Sequence, residues 1–183
     1  IVLEKTDHAD RVLRLMGEFG ADTARYATHH PWADRLPRDA AIGAERNGRD
    51  MRLSVLNYPL QGWTDAVAMN LVTGHAVVVQ LEDMARVSYQ PLGEALRDIL
   101  PRERRHVELA DEGLGRLMRE GRSGEIADSV AYWRPRAAAV FGDPSEARMA
   151  RLAAWGLRHR SAADLRADWA ARLDAALARI GQA

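Results

Sequence analysis

The most constraining feature of the sequence is a segment in which apolar residues occur on almost every side of a helix. This segment runs from Val67 to Leu81. A helix at a protein surface carries an apolar stripe on one side only, so a helix that is apolar nearly all round has to be covered by other elements. We therefore expect residues from Trp63 to about Tyr89 to form the buried central helix of a helical bundle.

The rest of the chain also predicts helices. Alanine, leucine, arginine and glutamate dominate, and we find no alternation of apolar and polar residues bounded by turn residues, which is typical of strands. Helical spacing predicts further helices over residues 2–27, 92–121, 123–141, 144–158 and 162–180. We expect Pro101 to kink the second of these helices and Ser123 to cap the third. The predicted class is all-α.

Composition limits the kind of protein this is. The chain has 183 residues, 47% of them hydrophobic, which is enough for a single domain over residues 1–183. Lys and Arg (26) balance Asp and Glu (26), so we expect no nucleic-acid or membrane-surface partner. We find neither a membrane-spanning apolar run nor a secretion leader, and expect a soluble, cytoplasmic protein. Because cysteine is absent, metal ligands are limited to carboxylates and six histidines.

Glu103 and His106 are the residues most suggestive of chemistry. They lie three positions apart on a predicted helix, so they project from the same face and can share one cation. In ferritin-like di-iron proteins, two helices each supply such a pair and the other two helices each supply one carboxylate. A single pair also arises by chance, and an exposed ion-pairing face is the simpler interpretation.

Several short motifs surround this pair in a fixed order. They are Asn57-Tyr58-Pro59, Trp63-Thr64-Asp65, Gln80-Leu81-Glu82-Asp83, Ser88-Tyr89-Gln90-Pro91 and Glu103-x-x-His106, continuing through Tyr132-Trp133 and Phe141-Gly142. In order and spacing they resemble the phenylacetate-CoA oxygenase A/C-type subunit family, without gaps from Trp63 to His106. The resemblance implies a ferritin-like four-helix bundle with extra C-terminal helices, whose first bundle helix would lie upstream of Ile1.

The resemblance also implies a functional context. Catalytic members of this family are di-iron enzymes that use dioxygen and electrons from a reductase to epoxidise the aromatic ring of a coenzyme A thioester. Their sister subunits have lost the metal and act as scaffolds. The expected partners are therefore an oxygenase subunit, in a homo- or hetero-oligomer, and a coenzyme A thioester.

The family's metal ligands are only partly present in this chain. The resemblance assigns Glu103 and His106 to the second metal pair, but the aspartate of the central helix falls at Gly74. The segment Glu4-Lys5-Thr6-Asp7-His8 resembles the family's D-E-x-x-H motif, which places His8 on the histidine and Lys5 on the bridging glutamate. Lys5 is the only lysine of the chain.

An ammonium group in place of a bridging carboxylate repels metal ions and can neutralise Glu103 itself. We therefore predict a buried polar cluster of Lys5, His8, Glu103 and His106, next to Glu4, that replaces the metal, with no cofactor. The alternatives are a working di-iron centre and a single-metal site, and iron is the cofactor in either case. The single-metal ligands would be His8, Glu103 and His106 with Glu4 or Asp7. Asn70 and His75 are possible replacement ligands near Gly74, although core packing is the simpler role for both.

The leading functional hypothesis is a metal-poor, scaffolding subunit or homologue in an aromatic acyl-CoA ring oxygenase system. The alternatives are a catalytic di-iron or single-metal monooxygenase acting on such a thioester, and a stand-alone helical binding protein.

Among the other candidate residues, His29 and His30 are interpreted as the end of a loop. Glu82 and Asp83 are expected to pair with Arg86. The aromatic residues are expected in the core rather than along a channel: Trp63, Tyr89, Trp133 and Phe141.

Overall fold

The computed structural model describes residues 1–27, 35–44 and 53–181. The chain divides into two compact units, an N-terminal unit (Ile1–Pro59) and a C-terminal unit (Leu60–Ala183). Every regular element of the described residues is an α-helix or a 3-10 turn, so the predicted all-α class is confirmed. The expectation that residues 1–183 form a single domain stays a prediction.

The N-terminal unit contains the helix α1 (Val2–Glu18), the single turn α2 (Ala24–Ala27) and a 3-10 turn (Ser54–Asn57). The prediction of one helix from residue 2 to 27 is wrong. The helix stops early because Gly20 adopts a φ of +74°, a left-handed conformation that glycine takes without steric cost and that an α-helix cannot include.

The C-terminal unit is built around the helix predicted from its apolar circumference, α3 (Gly62–Met84). Val67, Leu71, Val72 and Val79 on this helix are all buried. Three other long helices pack against it: α4 (Gln90–Arg119), α5 (Ser123–Ala138) and α7 (Ala162–Ile180). The predicted central position of α3 is confirmed.

The remaining boundaries follow from local chemistry. Proline in the first turn of a helix loses no intrahelical hydrogen bond, so α4 begins at Gln90 with Pro91 in its first turn. The same helix continues through Pro101. Ser123 does not cap α5: it is the first residue of that helix, and Arg122 precedes it without a side-chain cap. At α7 the Ser161 hydroxyl and the Asp164 carboxylate cap each other's backbone amides.

Two short elements join α5 to α7. A 3-10 turn (Ala139–Phe141) continues α5, and the short helix α6 (Glu146–Ala154) follows it. None of the residues of α6 is buried. After α6 the chain is fastened to the corner between α3 and α4, because the Ser88 amide donates to the Gly156 carbonyl at 2.8 Å and the Ser88 hydroxyl donates to the Trp155 carbonyl.

Candidate functional site

Glu103 and His106 lie on the buried face of α4, one turn apart. Their exposed fractions are 3% and 7%. The Nδ1 of His106 lies 3.7 Å from the Oε2 of Glu103, which is longer than a hydrogen bond. The exposed ion-pairing face that offered the simpler interpretation of this pair is therefore excluded, and α4 presents a carboxylate and an imidazole together in the interior.

Gly74, the position that the resemblance assigns to an aspartate, faces α4 at very short range. A Cβ built on Gly74 would lie 2.8 Å from the Cγ2 of Val107, closer than real Cβ atoms approach a neighbour. A second close approach lies farther along the same helices, where a Cβ on Gly113 would lie 3.0 Å from the Cγ1 of Val67. The two contacts show that α3 and α4 run antiparallel, and that the space a side chain at residue 74 would need is filled by Val107.

The two possible replacement ligands on α3 have different surroundings. Asn70 is exposed, and its side-chain amide donates to the Ala66 carbonyl of the preceding turn at 2.8 Å. His75 is half-buried, and its Nε2 atom is buried without a hydrogen-bond partner among the described residues.

Burial lowers the pKa of His75. The charge of Asp111 acts in the opposite direction, while those of Arg172 and Arg179 add to the lowering. Burial therefore favours the neutral form of this imidazole, and the charges around it are mixed, with two guanidinium groups and one carboxylate.

The candidate residues of α1 lie in the N-terminal unit. Glu4, Lys5 and His8 are half-buried, at the spacing of one helix face. Asp7 lies on the exposed side and forms an ion pair with Arg11, with 2.9 Å between the carboxylate and the guanidinium. The polar cluster predicted from Lys5, His8, Glu103 and His106 stays a prediction.

Within each unit, the described residues contain no group of three or more His, Asp or Glu side chains that could hold a metal ion. At the predicted site in the C-terminal unit, Glu103 and His106 are present, but Gly74 has no side chain. The ligand assignments and the expected absence of a cofactor are predictions still. His29 and His30 lie outside the described residues.

A network of charged residues on three helices was not predicted. Arg172 of α7 donates two hydrogen bonds to Glu82 of α3, at 2.8 and 3.0 Å, and two to Asp168, at 2.7 and 3.1 Å. Arg104 of α4 donates to Glu82 as well, at 2.9 Å. The expected pairing of Asp83 with Arg86 is confirmed at 3.3 Å, whereas Glu82 pairs with these other arginines. The sequence signal was the Glu82-Asp83 motif, but its partners are distant in the chain.

A buried hydrogen bond joins residues from two of the sequence motifs, Trp63-Thr64-Asp65 and Tyr132-Trp133. The indole Nε1 of Trp133 donates to the Oδ1 of Asp65 at 2.8 Å, and both residues are fully buried. The other oxygen of Asp65 accepts from the Gln61 amide at 2.8 Å and so fixes the start of α3. Trp133 and Phe141 are core residues, as expected, but the expectation for Trp63 is wrong, because this side chain is 69% exposed.

One comparison with known proteins identifies the family. The family model of the phenylacetic acid catabolic proteins matches residues 1–183, and the ferritin-like fold predicted from the motifs is consistent with that family and with the all-helical structure. The comparison with curated proteins gives no match. Over the described ranges, no helix has the length and apolar character needed to cross a bilayer. The chain therefore belongs to the phenylacetic acid catabolic protein family.

Proposed function

We propose that this chain is a ferritin-like subunit of an aromatic acyl-CoA ring oxygenase system, in which a polar cluster replaces the di-iron site and the protein scaffolds a catalytic partner. The observation that carries the proposal is the contact between Gly74 and Val107. The position assigned to a metal-binding aspartate has no side chain, and the 2.8 Å approach of Val107 leaves no space for one.

The charge of the remaining residues supports the same conclusion. A di-iron site needs about four carboxylates to balance two cations. In the assigned set, Glu103 is a carboxylate, Gly74 brings no charge, and Lys5 brings a positive one. These residues do not fit a two-metal centre, and we derive no oxygen chemistry from them.

The surroundings of His75 support it further. A replacement metal site on α3 would use this imidazole, yet burial lowers its pKa and so disfavours positive charge at this position. Of the neighbouring charges, Arg172 and Arg179 would repel a cation, whereas Asp111 would attract it. We therefore propose that His75 serves in helix packing rather than as a metal ligand.

The rival function is a single-metal oxygenase, and one observation favours it. Glu103 and His106 remain buried on one face of α4, with 3.7 Å between the imidazole and the carboxylate. Such a pair would bind a metal ion if the N-terminal residues completed the ligand set. The iron content of the purified protein distinguishes the two functions, because the scaffold would hold no iron and the oxygenase a stoichiometric amount.

The scaffolding role is tested by co-purification. The full chain, carrying an affinity tag, is expressed together with a catalytic di-iron subunit of the same family and analysed by size-exclusion chromatography. We expect both proteins to elute together as a hetero-oligomer whose iron resides in the partner. Separate elution, with this chain alone or only self-associated, would contradict scaffolding and favour the stand-alone binding protein.

A further inference from the structure

A cleft of about 370 Å³ opens in the C-terminal unit, away from Glu103 and His106. It lies between α6, the first turn of α7 and the 3-10 turn that follows α5. One part of its lining is apolar and consists of Phe141, Pro144, Met149, Leu152 and Leu165. Phe141 is backed by the buried Trp169, with 5.7 Å between the ring centroids, so this part of the cleft is supported by the core.

The outer wall of the cleft is the inward face of α6. Arg148, Met149 and Leu152 line the cleft at the spacing of one helix face. Met149 and Leu152 are half-buried, and α6 has no buried residue. The helix therefore presents an apolar surface with an arginine beside it to an open space rather than to the core.

Three arginines line the cleft, and Arg148 is the one with no acidic partner among the described residues. The Nη1 atom of Arg158 is buried and makes no hydrogen bond within the described chain. The Oδ2 of Asp83 lies 3.7 Å from it, and the same carboxylate also pairs with Arg86 at 3.3 Å.

The acidic partner of the third arginine also pairs with a second arginine. Arg160 pairs with Asp168 at 2.8 Å, but Asp168 is also held by Arg172. Of the described lining residues, Asp143 is the one acid. Around this cleft, positive groups therefore outnumber the carboxylates that could neutralise them.

We infer that this cleft binds a small organic anion in which a carboxylate is attached to an apolar body. The apolar residues cover the body, and Arg148 and Arg158 supply charged donors for the carboxylate, since hydrogen bonds with ionised groups on both sides are the strong ones. An inorganic anion would leave the apolar wall uncovered, and a cation would be repelled by the arginines. The inference does not depend on whether the protein binds metal.

Isothermal titration calorimetry on the full chain tests the inference with four probes. Octanoate carries both the charge and the apolar body, acetate lacks the body, octanol lacks the charge, and octyltrimethylammonium reverses it. We expect octanoate to bind at one site and the other three to bind at least about tenfold more weakly, which corresponds to the loss of one charged hydrogen bond or of most of the apolar contact. Equal binding of octanol or of the cation, or no binding of octanoate, would overturn the inference.

Matched substitutions on α6 locate the site. Arg148→Gln should weaken octanoate binding about tenfold. Arg151→Gln removes the same charge from the same helix at an exposed position that does not line the cleft, and should leave binding unchanged. Equal weakening by both variants would indicate a diffuse effect of positive charge and overturn the assignment. Because Arg148 and Arg151 are both exposed, neither substitution removes a core contact.

Discussion

The Cγ2 of Val107 would lie 2.8 Å from a Cβ at position 74, and this close approach of α4 to α3 is possible only because residue 74 is glycine. The family resemblance assigns an aspartate to this position. A glycine at this position therefore offers no metal ligand and at the same time lets two helices pack in direct contact. An aspartate at residue 74 would require Val107, whose β-branched side chain has few rotamers, to move.

Gly74→Ala should destabilise the protein. Replacing glycine by alanine inside a helix ordinarily stabilises it by about 0.5–1 kcal/mol. Overpacking a filled interior costs about 1–3 kcal/mol, so the overlap with Val107 should outweigh this gain and make the substitution destabilising. Urea denaturation monitored by circular dichroism measures the change in the free energy of unfolding.

Two further variants control this prediction. Gly124→Ala lies in α5 with nothing within 4 Å of the added Cβ, so it should be neutral or stabilising. In a Val107→Ala background the overlap disappears, and Gly74→Ala should cost less than in the wild type. A rise in stability from Gly74→Ala in the wild type would show that α3 and α4 are not in contact at this point.

Trp133→Phe should cost more than Trp169→Phe, although both indoles are buried. Trp133 donates to the carboxylate of Asp65 at 2.8 Å, whereas Trp169 donates to the backbone carbonyl of Val72 at 3.0 Å. A buried charged acceptor that loses its donor costs about 1.5–3 kcal/mol, and a neutral acceptor costs about 1 kcal/mol. Thermal denaturation of the two variants makes the comparison, and equal losses would mean that Asp65 does not depend on the indole.

Arg172→Gln should make the protein less stable at neutral pH, by about 1 kcal/mol. Burial alone would raise the pKa values of Glu82 and Asp168. Hydrogen bonds from Arg172, with Arg104 at Glu82 and Arg160 at Asp168, outweigh burial and hold both pKa values below 4.5 and 3.8, the ordinary values of Glu and Asp.

The sign of the pH dependence follows from these lowered pKa values. The stabilisation is fully present above the ordinary values and is lost as the pH falls through the folded-state values. The difference between wild type and variant should therefore shrink on acidification below about pH 4. A difference that stays constant across this range would contradict the network. The exposed pair of Arg134 and Asp174 is the control, since Arg134→Gln should cost less.

Lys5→Ala should lower stability on the order of 3 kcal/mol if Lys5 neutralises the buried Glu103. A double-mutant cycle with Glu103→Gln measures this pairing, because the cost of Lys5→Ala should fall once the carboxylate is gone. Arg14→Ala on the same helix removes only an exposed ion pair with Asp10 and is the control. A Lys5→Ala variant as stable as Arg14→Ala would mean that Lys5 points to solvent.

Patterns within single helices made much of the fold predictable. The apolar circumference of α3 predicted its central position. The bounds of α7 were predicted correctly at residues 162 and 180, and a capping box of Ser161 and Asp164 begins this helix. The end of α1 was not predictable, because helical periodicity continues beyond Gly20 and does not reveal its positive φ.

The candidate site was only partly predictable, because its determinants lie between helices. The Glu103 and His106 pair follows from spacing along one helix. The filling of position 74 by Val107 depends on the antiparallel register of α3 and α4, and the Arg172 network joins Glu82 to a residue 90 positions away. Residue spacing along the chain does not predict these contacts between helices.

We propose that this chain does not hold a di-iron centre, and the iron content of the protein tests this proposal most directly. The full chain is purified from iron-supplemented cells, its metal content is measured by mass spectrometry, and its absorption spectrum is recorded before and after exposure of the reduced protein to dioxygen. We expect iron far below stoichiometric amounts and no oxygen-dependent spectral change. Stoichiometric iron with an oxygen-dependent spectrum would contradict the account.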